Sequence, residues 1–104
     1  MEQIGSYQIP SEATLIAFES VARLGSFSHA AEELGTARSS VMRLVADLER
    51  QLATRLLEPS HRGITPTEAG QRLYEAVAAG LRIIEESVAE ADDRPATSSR
   101  QPDQ

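Results

Sequence analysis

The chain has no cysteine and no tryptophan among its 104 residues. The first absence removes disulfides, thiolate metal ligands and cysteine nucleophiles together. Lysine is missing as well, so all ten basic side chains are arginine. Arginine is always charged and grips phosphate or guanine through two parallel N–H donors, where lysine acts as a point charge. A GC-rich genome, in which Arg codons displace Lys codons, would produce the same bias. Aromatics are limited to Tyr7, Phe18, Phe27 and Tyr74, too few for a platform that stacks single-stranded bases. No stretch approaches the roughly 18 uninterrupted apolar residues of a membrane span. Residues 1–10 contain Glu2 and no apolar run, so no secretory signal is visible. The two histidines have no carboxylate or thiol at ligand spacing, and neither a Ser/His/Asp constellation nor a Gly-rich phosphate loop occurs. The expectation is a soluble cytoplasmic protein of one domain, without enzyme activity, metal or cofactor.

What is present is a run from Leu24 to Gly70, LGSFSHAAEELGTARSSVMRLVADLERQLATRLLEPSHRGITPTEAG. Two short helical patterns meet at a Gly-containing turn, and a loop carrying His61-Arg62-Gly63 precedes a further helix. That order suits a winged helix-turn-helix and points to nucleic acid. Charge opposes it, because the chain carries a net −6. The acidity is uneven: residues 1–66 hold six Arg against eight acids, and residues 67–104 hold four Arg against eight acids.

Residues 1–10 read as a flexible arm ending at Pro10, and residues 11–66 as the winged helix-turn-helix. Ser11 suits the N-cap of a helix with Leu15, Phe18, Val21 and Ala22 on its apolar face and a Glu19–Arg23 pair outside. Gly25 ends it. Ser26 can cap a second helix bearing Phe27, Ala30, Ala31 and Leu34, which Gly35 ends. The third places Val41, Val45, Leu48 and Leu52 inward. Helical periodicity stops over 53–66, where Leu56-Leu57 and Ile64 flank the turn Pro59-Ser60-His61-Arg62-Gly63. A lone hairpin is marginal, so Leu56 and Ile64 should rest on the helices. Thr65 as N-cap, Pro66 at N1 and Glu68 at N3 would form a capping box, with Thr67 as cap in a second register.

Residues 67–91 predict one long helix whose Leu73, Val77, Leu81, Ile84 and Val88 recur at spacings of four, four, three and four, close to a heptad. Ala76, Ala79 and Gly80 permit close backbone approach beside that seam. At 1.5 Å per residue the helix spans roughly 37 Å, more than a small domain covers, which favours a homodimer over packing back on its own domain. Residues 92–104, with Pro95, Thr97, Ser98, Ser99 and Pro102, predict a disordered tail.

The run resembles the N-terminal winged helix-turn-helix of LysR-type transcriptional regulators. The matching segments are LIAFESVARLGSFSHAAEEL, V-x-R-L-V-x-D-L-E at 41–49, L-x-x-R-L at 52–56 and R-G-I-T-P-T-E-A-G at 62–70, within roughly residues 13–90. The resemblance implies a mainly α fold, with a three-helix core, a short β-hairpin wing and a long dimerisation helix. It also implies that the second and third helices read DNA while the wing touches the flanking minor groove, and a cytoplasmic protein that sits on the bacterial nucleoid when DNA-bound. LysR-type proteins usually continue into a co-inducer-binding domain, whereas this chain stops at Gln104, as a stand-alone domain or a fragment. Ala37-Arg38-Ser39-Ser40 stands where the family often has Ser-Gln-Pro-Ala, with Thr36 as a substitute cap. Met42 replaces a Ser of the reading face, and Pro59 a basic residue before the wing.

The DNA site expected from these readings comprises Arg38, Ser39, Ser40, Met42 and Arg43 on the third helix, entering a major groove. Arg38 suits a bidentate bond to guanine, Ser40 or Met42 a thymine methyl, and Arg43 a phosphate unless Asp47 competes for it. Ser26, Ser28 and His29 offer hydroxyl, ring and amide donors to phosphate. His61 and Arg62 suit a narrow minor groove. Plainer roles exist for some of them: Ser28 and Ser40 as helix-start residues, His29 as a solvated side chain, Arg43 as a partner of Asp47, Arg62 as a turn charge. Three functions follow. The first is a homodimeric regulator reading two half-sites of double-stranded DNA. The second is an interaction protein of the same fold that heterodimerises with, or sequesters, another regulator. The third is a DNA-binding module whose ligand control lies on another chain.

Overall fold

The computed structural model describes residues 8–92. The arm expected over 1–10 and the tail expected over 92–104 lie outside them, apart from residues 8–10 and Asp92. Four helices and one hairpin follow in chain order: α1 (Glu12–Leu24), α2 (Phe27–Leu34), α3 (Arg38–Leu52), β1 (Leu57–Ser60), β2 (Gly63–Pro66) and α4 (Glu68–Ala91).

Capping chemistry sets most of these boundaries. The Thr14 amide donates to Ser11 Oγ at 3.2 Å and opens α1, and Gly25 closes it in the left-handed region. The His29 amide donates to Ser26 Oγ at 3.0 Å and opens α2, which ends at Gly35, again left-handed. Helix α3 starts without a side-chain cap, with Ala37 in the cap position. The substitute cap expected at Thr36 is not formed; its amide instead donates to Ala31 O at 3.0 Å and closes α2.

The start of α4 corrects the first register expected for it. Thr65 and Pro66 are strand residues, paired with Glu58 and Leu57 in the antiparallel ladder. The cap is Thr67, whose Oγ1 accepts from the Gly70 amide at 3.0 Å and donates to Arg55 O at 2.8 Å. Glu68 is thus the first helical residue, pairing with Arg72 at 3.2 Å rather than closing a capping box.

The core sits where α1, α2 and α3 meet under the hairpin: Ala17, Phe18, Val21, Ala30, Ala31, Val41, Val45, Leu48, Leu56 and Leu57 are buried. Small Ala30 and Ala31 let α2 approach its neighbours closely. Leu56 is buried and Ile64 packs against the core, so the hairpin is covered on one side as its size requires. Leu52 departs from the inward stripe expected of α3. It is 37% exposed at the last helical turn, where it faces an open groove rather than the core.

Backbone ties seat the hairpin. The Ile64 amide donates to Gly25 O at 3.1 Å. Gly63, at φ +115°, lies so close that a Cβ there would sit 2.7 Å from the same oxygen. The Thr67 amide donates to Leu56 O at 2.9 Å, and a Cβ on Gly70 would fall 1.9 Å from that oxygen. The first turns of α4 are thereby pressed onto the base of the wing. From Arg82 to Asp92 every residue is exposed.

Candidate nucleic-acid interface

Three surface segments carry the candidate residues: the start of α2, the start and outer face of α3, and the hairpin tip. The first two are neighbours, since the Arg38 guanidinium lies 6.0 Å from the centre of the Phe27 ring, at the outer range of a cation–π contact. Phe27 also lines a small cavity of about 230 Å3 with Val45, Glu49, Leu57 and Ile64, which puts the α2 start, the middle of α3 and the hairpin around one space.

Helix termini leave the first amides without intrahelical partners. At α2, Ser26 satisfies the His29 amide, so that donor is not open to a phosphate and the open ones are those of Phe27 and Ser28. At α3 no side chain caps the terminus, leaving the Arg38 and Ser39 amides open beside the Arg38 side chain. Ser28, His29, Arg38, Ser39, Met42 and Arg43 are exposed, while Ser26 and Ser40 are half-buried.

At the hairpin tip the Arg62 amide donates to Ser60 Oγ at 3.1 Å and Ser60 Oγ donates to Gly63 O at 3.4 Å. These bonds tighten the turn and leave the His61 and Arg62 side chains exposed. Neither bonds to the helical candidates, so the tip stands as a separate projection.

The pairing of charges addresses the acidic balance. Arg23 pairs with Glu19 at 2.9 Å and with Glu33, and Ser20 Oγ donates to Glu33 at 3.0 Å. The Arg23 guanidinium first, and the Ser20 hydroxyl second, hold the Glu33 carboxyl below the usual carboxylate range; Glu33 first, and Glu19 second, raise Arg23. Asp47 pairs with Arg50, one turn on, and not with Arg43. Glu49 accepts from the Leu56 and Leu57 amides at 2.8 and 3.1 Å. Arg38, Arg43 and Arg62 have no carboxylate partner among the described residues. Glu32 and Glu58 also remain unpaired and exposed there. No group of three or more His, Cys, Asp or Glu among the described residues could hold a metal ion, and no described helix is long and apolar enough to cross a membrane.

The seam expected on α4 divides into parts. Leu73 packs against the core, Val77 and Leu81 are half-buried, and Ile84 and Val88 are each 58% exposed. Leu73, Val77, Leu81 and Ile84 form one wall of an open apolar groove of about 690 Å3, with Leu15, Ile16 and Leu52 opposite. Val88 lies beyond it. Ile83, outside the expected seam, is 59% exposed.

Sequence reasoning offered amides at Ser26, Ser28 and His29 to phosphate but did not single out the amide of Phe27, nor Glu49. Placement of Phe27 directly after the capping Ser26 was the signal for the first. Glu49 had none, because its partners are seven and eight residues away across a turn.

A family model described as bacterial regulatory helix-turn-helix protein, lysR family, matches residues 13–71. A putative transcriptional regulator of Pseudomonas aeruginosa is 36% identical over 89 residues, 83% of this chain and 29% of that protein. The HTH-type transcriptional regulator PgrR of Escherichia coli is 37% identical over 81 residues, 78% of this chain and 27% of its own length. The chain thus spans under a third of either relative. Among solved structures, the BenM_DBD/benA site 1 DNA complex superposes with a TM-score of 0.72 at 28% identity, covering 77% of this chain and 93% of that one. Oxidised Corynebacterium glutamicum OxyR gives a TM-score of 0.79 at 26% identity over 88% of this chain and 28% of that one. With its helix-turn-helix, hairpin wing and long final helix, the chain belongs to the lysR family of bacterial regulatory helix-turn-helix proteins.

Proposed function

We propose that this chain is the DNA-reading part of a transcriptional regulator, and that it binds double-stranded DNA as a homodimer. The observation that carries the reading is the trio Arg38, Arg43 and Arg62, exposed and without a carboxylate partner among the described residues, while Glu19, Glu33, Asp47 and Glu49 are matched by Arg23, Arg50 and Arg55. Similarity to a domain solved on DNA supports it. In this reading α3 enters the major groove. Arg38 takes guanine, Ser39, Ser40 and Met42 meet base edges or sugar, and Arg43 takes phosphate. Ser26, Ser28 and His29 flank a phosphate with the open α2 amides. His61 and Arg62 enter the adjacent minor groove.

Dimerisation runs through Leu73, Val77, Leu81, Ile84 and Val88 of α4, and the two reading heads address half-sites about one helical turn apart. Glu75, Glu85, Glu86 and Glu90 lie on the same long helix, away from α3 in sequence, which lets the acidity coexist with a phosphate-facing surface. The role is one of binding rather than catalysis, in the cytoplasm and on the nucleoid when DNA-bound.

Selection of bound fragments from a random DNA pool tests the reading. A recovered motif with two half-sites, and affinity falling steeply with salt, are expected. Arg38→Ala relaxes sequence preference, whereas Arg62→Ala lowers affinity for all sequences. No retention of DNA at low salt refutes it.

A further inference from the structure

Two parts of the proposed interface come from elements with no covalent rigidity between them. Arg38 and Arg43 belong to α3, while His61 and Arg62 form the turn of a hairpin with two four-residue strands. A wing contact helps only if the hairpin is held at a fixed offset from α3. Its second strand is tied to the end of α1, through the Ile64 amide and Gly25 O. Its first strand is tied to α3 by one side chain. Glu49, in the last turn but one of α3, directs Oε2 at two successive amides, Leu56 at 2.8 Å and Leu57 at 3.1 Å. The same oxygen lies 3.9 Å from Arg55 Nε, and the carboxylate side chain is only 20% exposed. Hydrogen bonds from amides to a carboxylate are roughly twice as strong as neutral ones, and both converge where the chain leaves the helix for the wing.

We propose that Glu49 is a positioning residue that fixes the wing against α3, so that His61 and Arg62 meet DNA in register with Arg38 and Arg43. The proposal rests on the DNA-binding reading above. It makes an unusual demand on sign. Neutralising Glu49 takes the net charge from −6 to −5, and electrostatics alone then tightens binding to phosphate. A positioning role weakens it. The fold itself is expected to survive, since Leu56 and Leu57 are buried and the Thr67 amide holds Leu56 O independently of Glu49.

The test compares the full chain with its Glu49→Ala and Glu49→Gln variants on the fragment selected by the wild type, alone and combined with Arg62→Ala. Glu49→Ala is expected to lower affinity about tenfold, with Glu49→Gln, which keeps one acceptor oxygen, falling between. The Arg62→Ala penalty should shrink in the Glu49→Ala background, because a wing out of register has little left to lose. Amide hydrogen exchange should quicken at Leu56 and Leu57 while the helical amides stay protected. Circular dichroism checks the fold, and the Gln variant carries the comparison if the Ala variant unfolds. Unchanged or tighter binding, or an equal Arg62→Ala penalty in both backgrounds, overturns the proposal. A wild-type chain that binds no DNA at low salt sinks the DNA reading instead, and exchange at Leu56 and Leu57 then decides the clamp: unchanged protection overturns it.

Discussion

Ala53 ends α3 with φ 53° and ψ 41°, and it is the one non-glycine residue with positive φ among those described. For an L-residue with a Cβ this left-handed conformation costs about 1–2 kcal/mol. The bonds it makes are all backbone: its own amide donates to Arg50 O at 3.2 Å, and the Thr54 amide to Glu49 O at 3.1 Å. The methyl group is exposed, so nothing packed is lost with it. Ala53→Gly therefore removes the conformational penalty and keeps the helix end. Against this stands the greater freedom glycine restores to the unfolded chain, about 0.5–1 kcal/mol. The difference is a net stabilisation of about 0.5–1 kcal/mol. A domain of this size gains roughly 4–8 °C in Tm per kcal/mol, so a rise of about 2–8 °C is expected. The measurement is a thermal melt by circular dichroism at matched protein concentration, because a dimer's melting point moves with concentration. An unchanged or lower Tm would mean that Ala53 is not strained, and the reasoning would fail.

Gly70→Ala puts a Cβ 1.9 Å from Leu56 O; forcing the wing base off α4 should cost about 3 kcal/mol or more and lower the urea midpoint, and a wild-type midpoint would rule out that contact. The depressed Glu33 carboxyl contributes stability above its unfolded pKa and loses it as pH falls through the folded one. The melting temperature should thus fall below about pH 4, with Glu33→Gln melting below wild type at pH 7 and the gap closing in acid; a constant gap contradicts it. Leu81→Glu places a charge in the apolar groove of α4 and should shift sedimentation from dimer to monomer, an unchanged dimer locating the interface elsewhere.

The helices were legible because their signals are local. Ser11, Ser26, Gly25 and Gly35 act within one turn of their own position, and Phe18, Val21, Ala30, Val41, Val45 and Leu48 repeat at helical spacing and are buried as read. The start of α4 was ambiguous because Thr65 and Thr67 are both good caps followed by helix formers. Pairing of Thr65 with Glu58 across the hairpin removed the first choice. Leu52 matched the inward stripe of α3, but at the helix end no neighbour covers it.

The amino-acid sequence by itself determined the order of elements, the helical faces and which side chains reach solvent at the α3 start and the hairpin tip, since these follow from periodicity, caps and turn residues. Tertiary structure decided which charges cancel. Sequence spacing allowed Asp47 to take Arg43, yet the fold gives it to Arg50; Arg23 bridges two acids ten and four residues away, and Glu49 turns to the wing amides. Ion pairs and carboxylate–amide bonds depend on distances of a few ångströms between segments remote in the chain. Net charge is therefore a property of composition, but that Arg38, Arg43 and Arg62 stand without carboxylate partners among the described residues is a property of the packed molecule.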